Sequence, residues 1–533
     1  MPTPRLADAA AALDAGQPAV ALEVCGALLA NAPDDADALN LAGIAQVQLG
    51  NAEDGLDLLR TAVAFRPGDA GILSNLGNAL AGLGRIEDAE HAYRDAMAAD
   101  GDDAEAPFNL GLLRERLGDA TAAVRWFERA LALKPDHPSA AFALAGALKA
   151  LGRLADAARV LEDLLARQPA HVDALNNLGT VRAEAGDHAA AAGLYHRVLD
   201  IAPAHIDARY NLGVAMQEDG HIDEALDAYD RVIAADAGHP AAHVNRGDAL
   251  RALGRLDDAE AAFRRAMDLA PGFAKVRANL ADLMLQRGDA AGALGIAEDF
   301  LVANPGDTML LAMREMILRQ LGRTDDARAL LDYARLLDAG DIAVPPAYAD
   351  RAAFNAALSG HVEGHPSLVE APARHATRQG RHSGELLVDP KGPMADLETI
   401  IRGRVDAYLA RIGDDAGHPF VQARPADYEL SVWGVVMRRQ GHQVAHIHPA
   451  AWLGGVYYAR VPDAVAADDP DHAGWIEFGR PPDDYHVTAA PNLELVRPRE
   501  GLMLLFPAYF YHRTVPYDAE ATRISIAFDI IPV

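Results

Sequence analysis

Glycine returns every 34 residues from Gly16 to Gly322, and this periodicity constrains the fold more than any other feature of the chain. Alanine keeps the same step, with Gly55 replacing it once, and proline follows in phase after most units. A fixed period of this length predicts a stack of similar units that bury their apolar faces against one another. The recurring glycines are Gly16, Gly50, Gly84, Gly118, Gly152, Gly186, Gly220, Gly254, Gly288 and Gly322.

Each recurring residue has a mechanical role in a pair of helices. Glycine is expected to end the first helix of each unit, where the backbone takes a left-handed conformation. Alanine is expected where two helices cross closely, and proline is expected to stop the second helix. Each unit is therefore predicted to be a helix–turn–helix pair.

Units such as "DAGILSNLGNALAGLGRIEDAEHAYRDAMAAD" resemble tetratricopeptide repeats in their period and in the "NLG" of the first helix. The resemblance covers residues 1–336, about ten repeats, and implies an all-α superhelical solenoid. The first repeat has a short leading helix and the last lacks "NLG", as expected of capping units. Such arrays imply a protein or peptide partner.

An asparagine recurs just before the glycine of "NLG" or its equivalent in six repeats. In tetratricopeptide repeats this position faces the inner, concave wall, where amides can bond the backbone of an extended peptide. The alternative is that these amides bond between neighbouring repeats. The residues are Asn75, Asn109, Asn177, Asn211, Asn245 and Asn279.

The composition limits the classes of partner. A net charge of −29 in 533 residues disfavours nucleic acid and anionic membrane surfaces. The single cysteine, Cys25, suits a reducing cytoplasm, and neither a secretory signal nor a membrane span is expected. The composition does not predict an oligomeric state.

The repeat pattern stops after Arg335, and residues 337–370 are expected to form a connector with one short helix. A helix is predicted in "MADLETIIRGRVDAYLARIG", and from Tyr428 the apolar period becomes two. Short strands separated by turns predict a mainly-β sandwich or barrel within residues 371–533. The strand segments are "YELSVWGVVMRR", "WLGGVYYARVP", "GWIEFG", "LELVRP", "GLMLLFP" and "TRISIAFDIIPV".

Histidines and one arginine give this β-rich part its candidate chemistry. His446 and His448, at the end of one strand, share a face, and His512 follows two or three strands later. Arg523 and Ser525 lie on the face of the last strand opposite its apolar residues. His442, in phase with His446, is a reserve candidate for a ligand.

The ordered segments "HIHP", "GGVYY", "FPAYFYH" and "TRISI" resemble the double-stranded β-helix, or jelly roll, of prolyl-hydroxylase-like Fe(II)- and 2-oxoglutarate-dependent oxygenases. The resemblance implies Fe(II), 2-oxoglutarate and O₂ as cofactor and cosubstrates, with His446, His448 and His512 as metal ligands. It also implies that Arg523 and Ser525 hold the far carboxylate of 2-oxoglutarate, with Tyr458 as a further donor or as a packed aromatic.

His448 departs from the family pattern, which has Asp or Glu there. It is expected to be a ligand, a supporting residue, or the mark of a Zn(II) site. The resemblance implies a dioxygenase that hydroxylates a side chain of a polypeptide captured by the repeats, with no protein nucleophile or general base. The alternatives are a non-catalytic repeat scaffold with a degenerate jelly roll, and a three-histidine dioxygenase without 2-oxoglutarate, which leaves Arg523 without a task.

Overall fold

The computed structural model describes residues 5–371, 376–414, 417–466, 468–518 and 520–533. The chain divides into two compact units, Met1–Leu178 and Gly179–Val533. The first unit contains repeat helices. The second contains the later repeats and the β-rich C-terminal part. No helix in the described ranges has the length and apolar character needed to cross a bilayer.

Helices α1 to α20 alternate as the first and second helices of the repeats. The first unit contains α1 (Leu6–Asp14), α2 (Pro18–Leu29), α3 (Ala36–Gln48), α4 (Ala52–Phe65), α5 (Ala70–Gly82), α6 (Ile86–Ala99), α7 (Glu105–Arg116), α8 (Ala120–Leu133), α9 (Pro138–Ala150) and α10 (Leu154–Arg167). Helix α11 (Val172–Glu184) contains the point of division, and the second unit continues with α12 (His188–Ile201), α13 (Ile206–Glu218), α14 (Ile222–Ala235), α15 (Pro240–Ala252), α16 (Leu256–Leu269), α17 (Ala274–Gln286), α18 (Ala290–Ala303), α19 (Thr308–Gln320) and α20 (Thr324–Leu330). The predicted solenoid of helical pairs is confirmed.

The recurring glycines take the predicted left-handed backbone. Their φ angles run from +65° at Gly16 to +86° at Gly50, and each follows the end of the first helix of its repeat. Only glycine enters this region without steric cost, which explains its fixed period. The phased prolines also lie where expected: Pro67, for example, follows the end of α4 at Phe65.

In five of the described repeats, a glycine in the first helix packs against an aromatic ring in the second. A Cβ added to Gly111 would lie 2.5 Å from the ring of Phe127, and Gly77 meets Tyr93 in the same way. The equivalent positions of the repeat after Gly111 hold Ala145 and the shorter Leu161. The two positions therefore share one volume, and a larger residue on one helix goes with a smaller residue on the other.

The C-terminal part contains four further helices among the described residues, α21 (Tyr333–Leu336), α22 (Arg351–Gly364), α23 (Met394–Ile412) and α24 (Pro419–Gln422). Its strands are β1 (Asp338–Asp341), β2 (Val369–Glu370), β3 (Thr377–His382), β4 (Tyr428–Gln443), β5 (Leu453–Arg460), β6 (Ile476–Phe478), β7 (Glu494–Val496), β8 (Leu502–Pro507), β9 (His512–Thr514) and β10 (Arg523–Pro532). The predicted helix corresponds to α23, and the six predicted strand segments correspond to β4, β5, β6, β7, β8 and β10.

In the described part of the chain, the strands form two antiparallel sheets. The larger has the order β1-β8-β5-β10-β4-β3-β2, and the smaller has the order β7-β6-β9. Ile524, Ile526 and Phe528, on one face of β10, are fully buried in the core. The predicted mainly-β domain of jelly-roll type is confirmed, with the opposite face of β10 left for a site.

The segment predicted to be a connector takes part in this domain. Strand β1 pairs with β8, with Asp338 opposite Leu505, and Asp338 forms a 2.6 Å ion pair with Arg404 of α23. Helix α22 buries Phe354 and Leu358 completely. This strand was not predicted, because the residues of β1, DAGD, do not alternate between apolar and polar side chains in the way typical of a strand.

Within the second unit, the loop between β6 and β7 packs on the last repeats. The side chain of Asp282 in α17 accepts the backbone N–H of His486 over 2.8 Å. Gln320, the last residue of α19, accepts the N–H groups of Thr488 and Ala489 over 3.0 and 3.1 Å. These side chains therefore bind residues 485–489 through backbone N–H groups, and they also contact the side chains of His486 and Thr488.

Candidate metal centre

Two histidines that follow β4 meet a third on β9. His446 and His512 form an antiparallel bridge, and the backbone N–H of His448 donates to the carbonyl of Ala508 over 3.0 Å. One ring nitrogen from each histidine lies within 4.8 Å of the others, which is close enough to share one metal ion. The predicted separation of two or three strands between His446 and His512 is wrong, because β9 is the fifth strand after β4. His446 and His448 also lie beyond the end of β4 and not within it.

Each of the three rings has its Nδ1 atom engaged by an oxygen. His446 Nδ1 is 2.8 Å from the carbonyl oxygen of Val444, and His512 Nδ1 is 3.0 Å from that of Phe510. His448 Nδ1 bonds to a carboxylate oxygen of Asp529. Because carbonyl and carboxylate oxygens accept, the protons are on Nδ1 and the Nε2 lone pairs remain for a metal.

Burial keeps two of these imidazoles neutral. It lowers the pKa of His446 to about 4, with a further contribution from nearby His448. Burial also lowers the pKa of His512 well below its ordinary value, and the two neighbouring histidines add to this effect. A neutral imidazole is the form that binds a metal, so His446 and His512 need no deprotonation at neutral pH.

A cavity of about 270 Å³ contains the histidine cluster and one face of β10. Arg523, Ser525, Ala527 and Asp529 all line it, while the residues between them point into the core. The predicted alternation on this strand is confirmed. Arg523 therefore lines the same cavity as the three imidazoles. Tyr458 of β5 also lines this cavity.

Arg523 is a buried cation with unused hydrogen-bonding capacity. Its side chain is 2 % exposed, Nη1 donates to the carbonyl of Gly474 over 2.6 Å, and Nε has no hydrogen-bond partner in the described structure. The pKa of Tyr458 is raised by burial, an effect that Arg523 partly offsets, so its hydroxyl keeps its proton as a donor. An unpaired buried charge is costly, and a carboxylate ligand would compensate it.

The side chains of this cavity fit Fe(II) and 2-oxoglutarate, the groups that the resemblance implies. Three neutral nitrogens suit a first-row divalent metal, and Arg523, Ser525 and Tyr458 offer donors suited to a dicarboxylate in the same cavity. His442 does not join the cluster, because it lies within β4 with its Nδ1 near the carbonyl oxygen of Gln440.

Three of the predicted peptide-binding asparagines bond to the preceding repeat. Asn75 donates to Asn40 over 3.0 Å, Asn245 donates to the hydroxyl of Tyr210 over 2.9 Å, and Asn279 donates to a carboxylate in α15. All six asparagines are half-buried: Asn75, Asn109, Asn177, Asn211, Asn245 and Asn279. A role between repeats is therefore established for part of the row, and peptide binding stays a prediction.

Asp529 was not among the residues singled out from the sequence. A signal was present, since Asp529 is in phase with Arg523 and Ser525 on β10 and therefore faces the same side. Nothing in the local sequence, however, indicates that His448 lies opposite it.

A family model described as "Putative 2OG-Fe(II) oxygenase" matches residues 431–529. Three models of tetratricopeptide repeats also match. The first matches residues 6–70 and 210–274, the second residues 70–95, and the third residues 250–317. A model of the repeat domain of cytochrome c-type biogenesis protein H matches residues 83–210. No curated protein matches the chain.

Solved structures similar to the chain include tetratricopeptide-repeat proteins. YrrB, described as a TPR protein with an unusual peptide-binding site, is 21% identical over 35% of this chain and 96% of its own, with a TM-score of 0.32. MamA from Desulfovibrio magneticus RS-1 is 23% identical over 32% of this chain and 95% of its own, with a TM-score of 0.31. TTC0263 from Thermus thermophilus is 24% identical over 34% of this chain and 100% of its own, with a TM-score of 0.29. The chain is thus a tetratricopeptide-repeat protein whose C-terminal domain is of the 2OG-Fe(II) oxygenase family.

Proposed function

We propose that the protein is an Fe(II)- and 2-oxoglutarate-dependent dioxygenase that hydroxylates a side chain of a polypeptide bound by its repeats. The observation that carries the proposal is Arg523, a buried guanidinium with an unpartnered Nε that faces the cavity of three converging imidazoles. A metal site alone does not require such a cation. A dicarboxylate bound between the metal and Arg523 would require this cation to pair with its far carboxylate.

The residues have separate tasks in this proposal. His446, His448 and His512 would hold the metal through Nε2, and Arg523 with Ser525 would hold the far carboxylate of 2-oxoglutarate. When bound, Fe(II) and 2-oxoglutarate would supply the oxidising chemistry, in which O₂ is consumed, succinate and CO₂ are released, and a substrate C–H becomes C–OH.

The chain itself provides position and a dry environment. Tyr458 and Ser525 are 1 % and 4 % exposed, so hydrogen bonds to a carboxylate there would be little weakened by water. Trp433 and Gln443 also line the cavity and have no task toward the metal or the cosubstrate. They are available to receive the substrate side chain.

Capture of the polypeptide is assigned to the earlier repeats. In the second unit, Asp282 and Gln320 are already engaged by residues 485–489 of the same chain. Part of this contact is made through backbone N–H groups, a form of recognition that tolerates many sequences, and part is made to the side chains of His486 and Thr488. In the first unit, Asn109 is a candidate to bind a peptide in the same way.

The test is an anaerobic titration of the full-length protein with Fe(II) and then 2-oxoglutarate. The chelated keto acid is expected to give a weak visible charge-transfer band, and aerobic turnover is expected to release succinate. Arg523→Ala should raise the apparent Kd for 2-oxoglutarate about 10–100-fold, because one charge-assisted interaction contributes about 1.5–3 kcal/mol. Arg523→Lys keeps the charge without the planar fork, so an intermediate value is expected.

The same experiment separates the alternatives. Metal binding without the band would favour a three-histidine dioxygenase that does not use 2-oxoglutarate. Absence of metal binding would favour a repeat scaffold with a degenerate domain. A preference for Zn(II) over Fe(II), with no succinate formed, would contradict the proposed oxidation.

A further inference from the structure

Asp529 and His448 form a largely buried hydrogen bond at the edge of the candidate metal centre. The carboxylate of Asp529 bonds to Nδ1 of His448, and the two side chains are 15% and 9% exposed. Asp529 lies opposite Gly454 of the neighbouring strand β5. A Cβ on Gly454 would lie 3.0 Å from the ring of Phe506 and 3.4 Å from His448 Nδ1, so Gly454 packs closely beside this pair.

The position of this carboxylate bears on the charge of the site. Three neutral imidazoles leave both positive charges of a divalent metal uncompensated, whereas a site with a carboxylate ligand offsets one of them. In the described structure the carboxylate of Asp529 bonds to Nδ1 of His448. Its negative charge therefore lies on the far side of a ligand imidazole, one ring away from the metal position.

We propose that Asp529 is a positioning residue that supplies, through His448, the negative charge that a carboxylate ligand would otherwise supply. The hydrogen bond fixes the proton on Nδ1, orients the ring, and directs the Nε2 lone pair of His448 toward the metal position. The inference rests on the proposed function for the identity of the metal, and it makes His448 a ligand instead of the mark of a degenerate site.

The first test compares metal binding by three proteins: the wild type, Asp529→Asn, and Asp406→Asn as a matched control. Asp406 is an exposed residue of α23, so its replacement removes the same charge without touching the site. Anaerobic titration with Fe(II), and with Co(II) as a spectroscopic probe, should show affinity about 10–100-fold lower for Asp529→Asn. Asp406→Asn should match the wild type, and the Co(II) ligand-field bands should shift only in Asp529→Asn.

A second test uses compensation. His448→Asp alone would place a new carboxylate beside Asp529, and the two like charges should weaken metal binding. The double variant His448→Asp/Asp529→Asn restores a single carboxylate, now as a direct ligand, and should bind Fe(II) more tightly than His448→Asp. Circular dichroism and thermal unfolding of each variant show whether it is folded.

The outcomes separate this inference from the proposed function. Equal Fe(II) and Co(II) affinities and equal Co(II) spectra for wild type and Asp529→Asn would overturn the role of Asp529, even if the 2-oxoglutarate band forms. Weakened metal binding in Asp529→Asn without a 2-oxoglutarate band in the wild type would support the role of Asp529 and contradict the proposed function.

Discussion

His446 and His512 exchange both backbone hydrogen bonds of an antiparallel bridge, with N···O distances of 3.1 and 3.0 Å, and their ring centroids lie 4.2 Å apart. The distance between two candidate ligands that are far apart in the chain is thus set by backbone pairing. A site held by such pairing keeps its geometry better than one carried on free loops. This bridge is therefore the structural basis of the candidate metal centre.

Removal of a histidine from the cluster should abolish tight metal binding. His512→Ala should lower Fe(II) affinity by more than about 100-fold, since loss of an outer partner of a ligand alone costs about 10–100-fold. His442→Ala is the matched control, because His442 lies outside the cluster. Equal effects of the two substitutions, measured by anaerobic calorimetry, would contradict the assignment of the site.

The stability of the metal-free domain should fall as the medium becomes acidic. The pKa of His446 is about 4 in the folded protein, and that of His512 is also lowered, so the unfolded chain binds protons more readily at both positions. The free energy of unfolding should therefore decrease as pH falls from about 6.5 toward 4. Other groups titrate as well, so the comparison is with His446→Gln/His512→Gln, whose decrease over the same range should be smaller in urea unfolding. An identical pH dependence would rule out buried neutral histidines.

The sequence predicted features that local chemistry determines. The left-handed glycines and the alternation of Arg523 with Ile524 follow from rules that act within a few residues. Strand β1 and the contact of Asp529 with His448 depend on which segments become neighbours in the folded sheet. The residues of β1 carry no periodic signal, and the phase of Asp529 on β10 does not identify its partner, so both features became evident only in three dimensions.

The shared volume of Gly111 and Phe127 predicts a compensating pair of substitutions. Gly111→Ala places a methyl group 2.5 Å from the ring and should destabilise the first unit by about 1–3 kcal/mol. Gly111→Ala/Phe127→Leu reproduces the residues of the next repeat, Ala145 and Leu161, and should recover part of the loss. Denaturant unfolding measures both variants. A double variant less stable than Gly111→Ala would show that the two positions do not share one space.

The asparagine row should divide into residues that stabilise the array and residues that do not. Asn75→Ala removes the 3.0 Å bond to Asn40 and should cost about 0.5–1.5 kcal/mol. Asn109 occupies the equivalent position of the next repeat. Asn109→Ala should change the free energy of unfolding less than Asn75→Ala does. If Asn109→Ala is as destabilising as Asn75→Ala, Asn109 has a structural role and its assignment to peptide binding loses support.

Gln320 should control the order of residues 485–489. Its Oε1 atom accepts the N–H groups of Thr488 and Ala489, and Tyr485 in the same segment lies against Tyr511, the neighbour of His512. Gln320→Ala leaves both N–H groups without their acceptor, so hydrogen exchange at these amides should become about tenfold faster or more, as expected for a loss of at least about 1.4 kcal/mol. Gln320→Glu keeps the acceptor oxygens and should retain most of the protection. Exchange that is equally slow in all three proteins would mean that the rest of the loop, without Gln320, holds the segment on the last repeats.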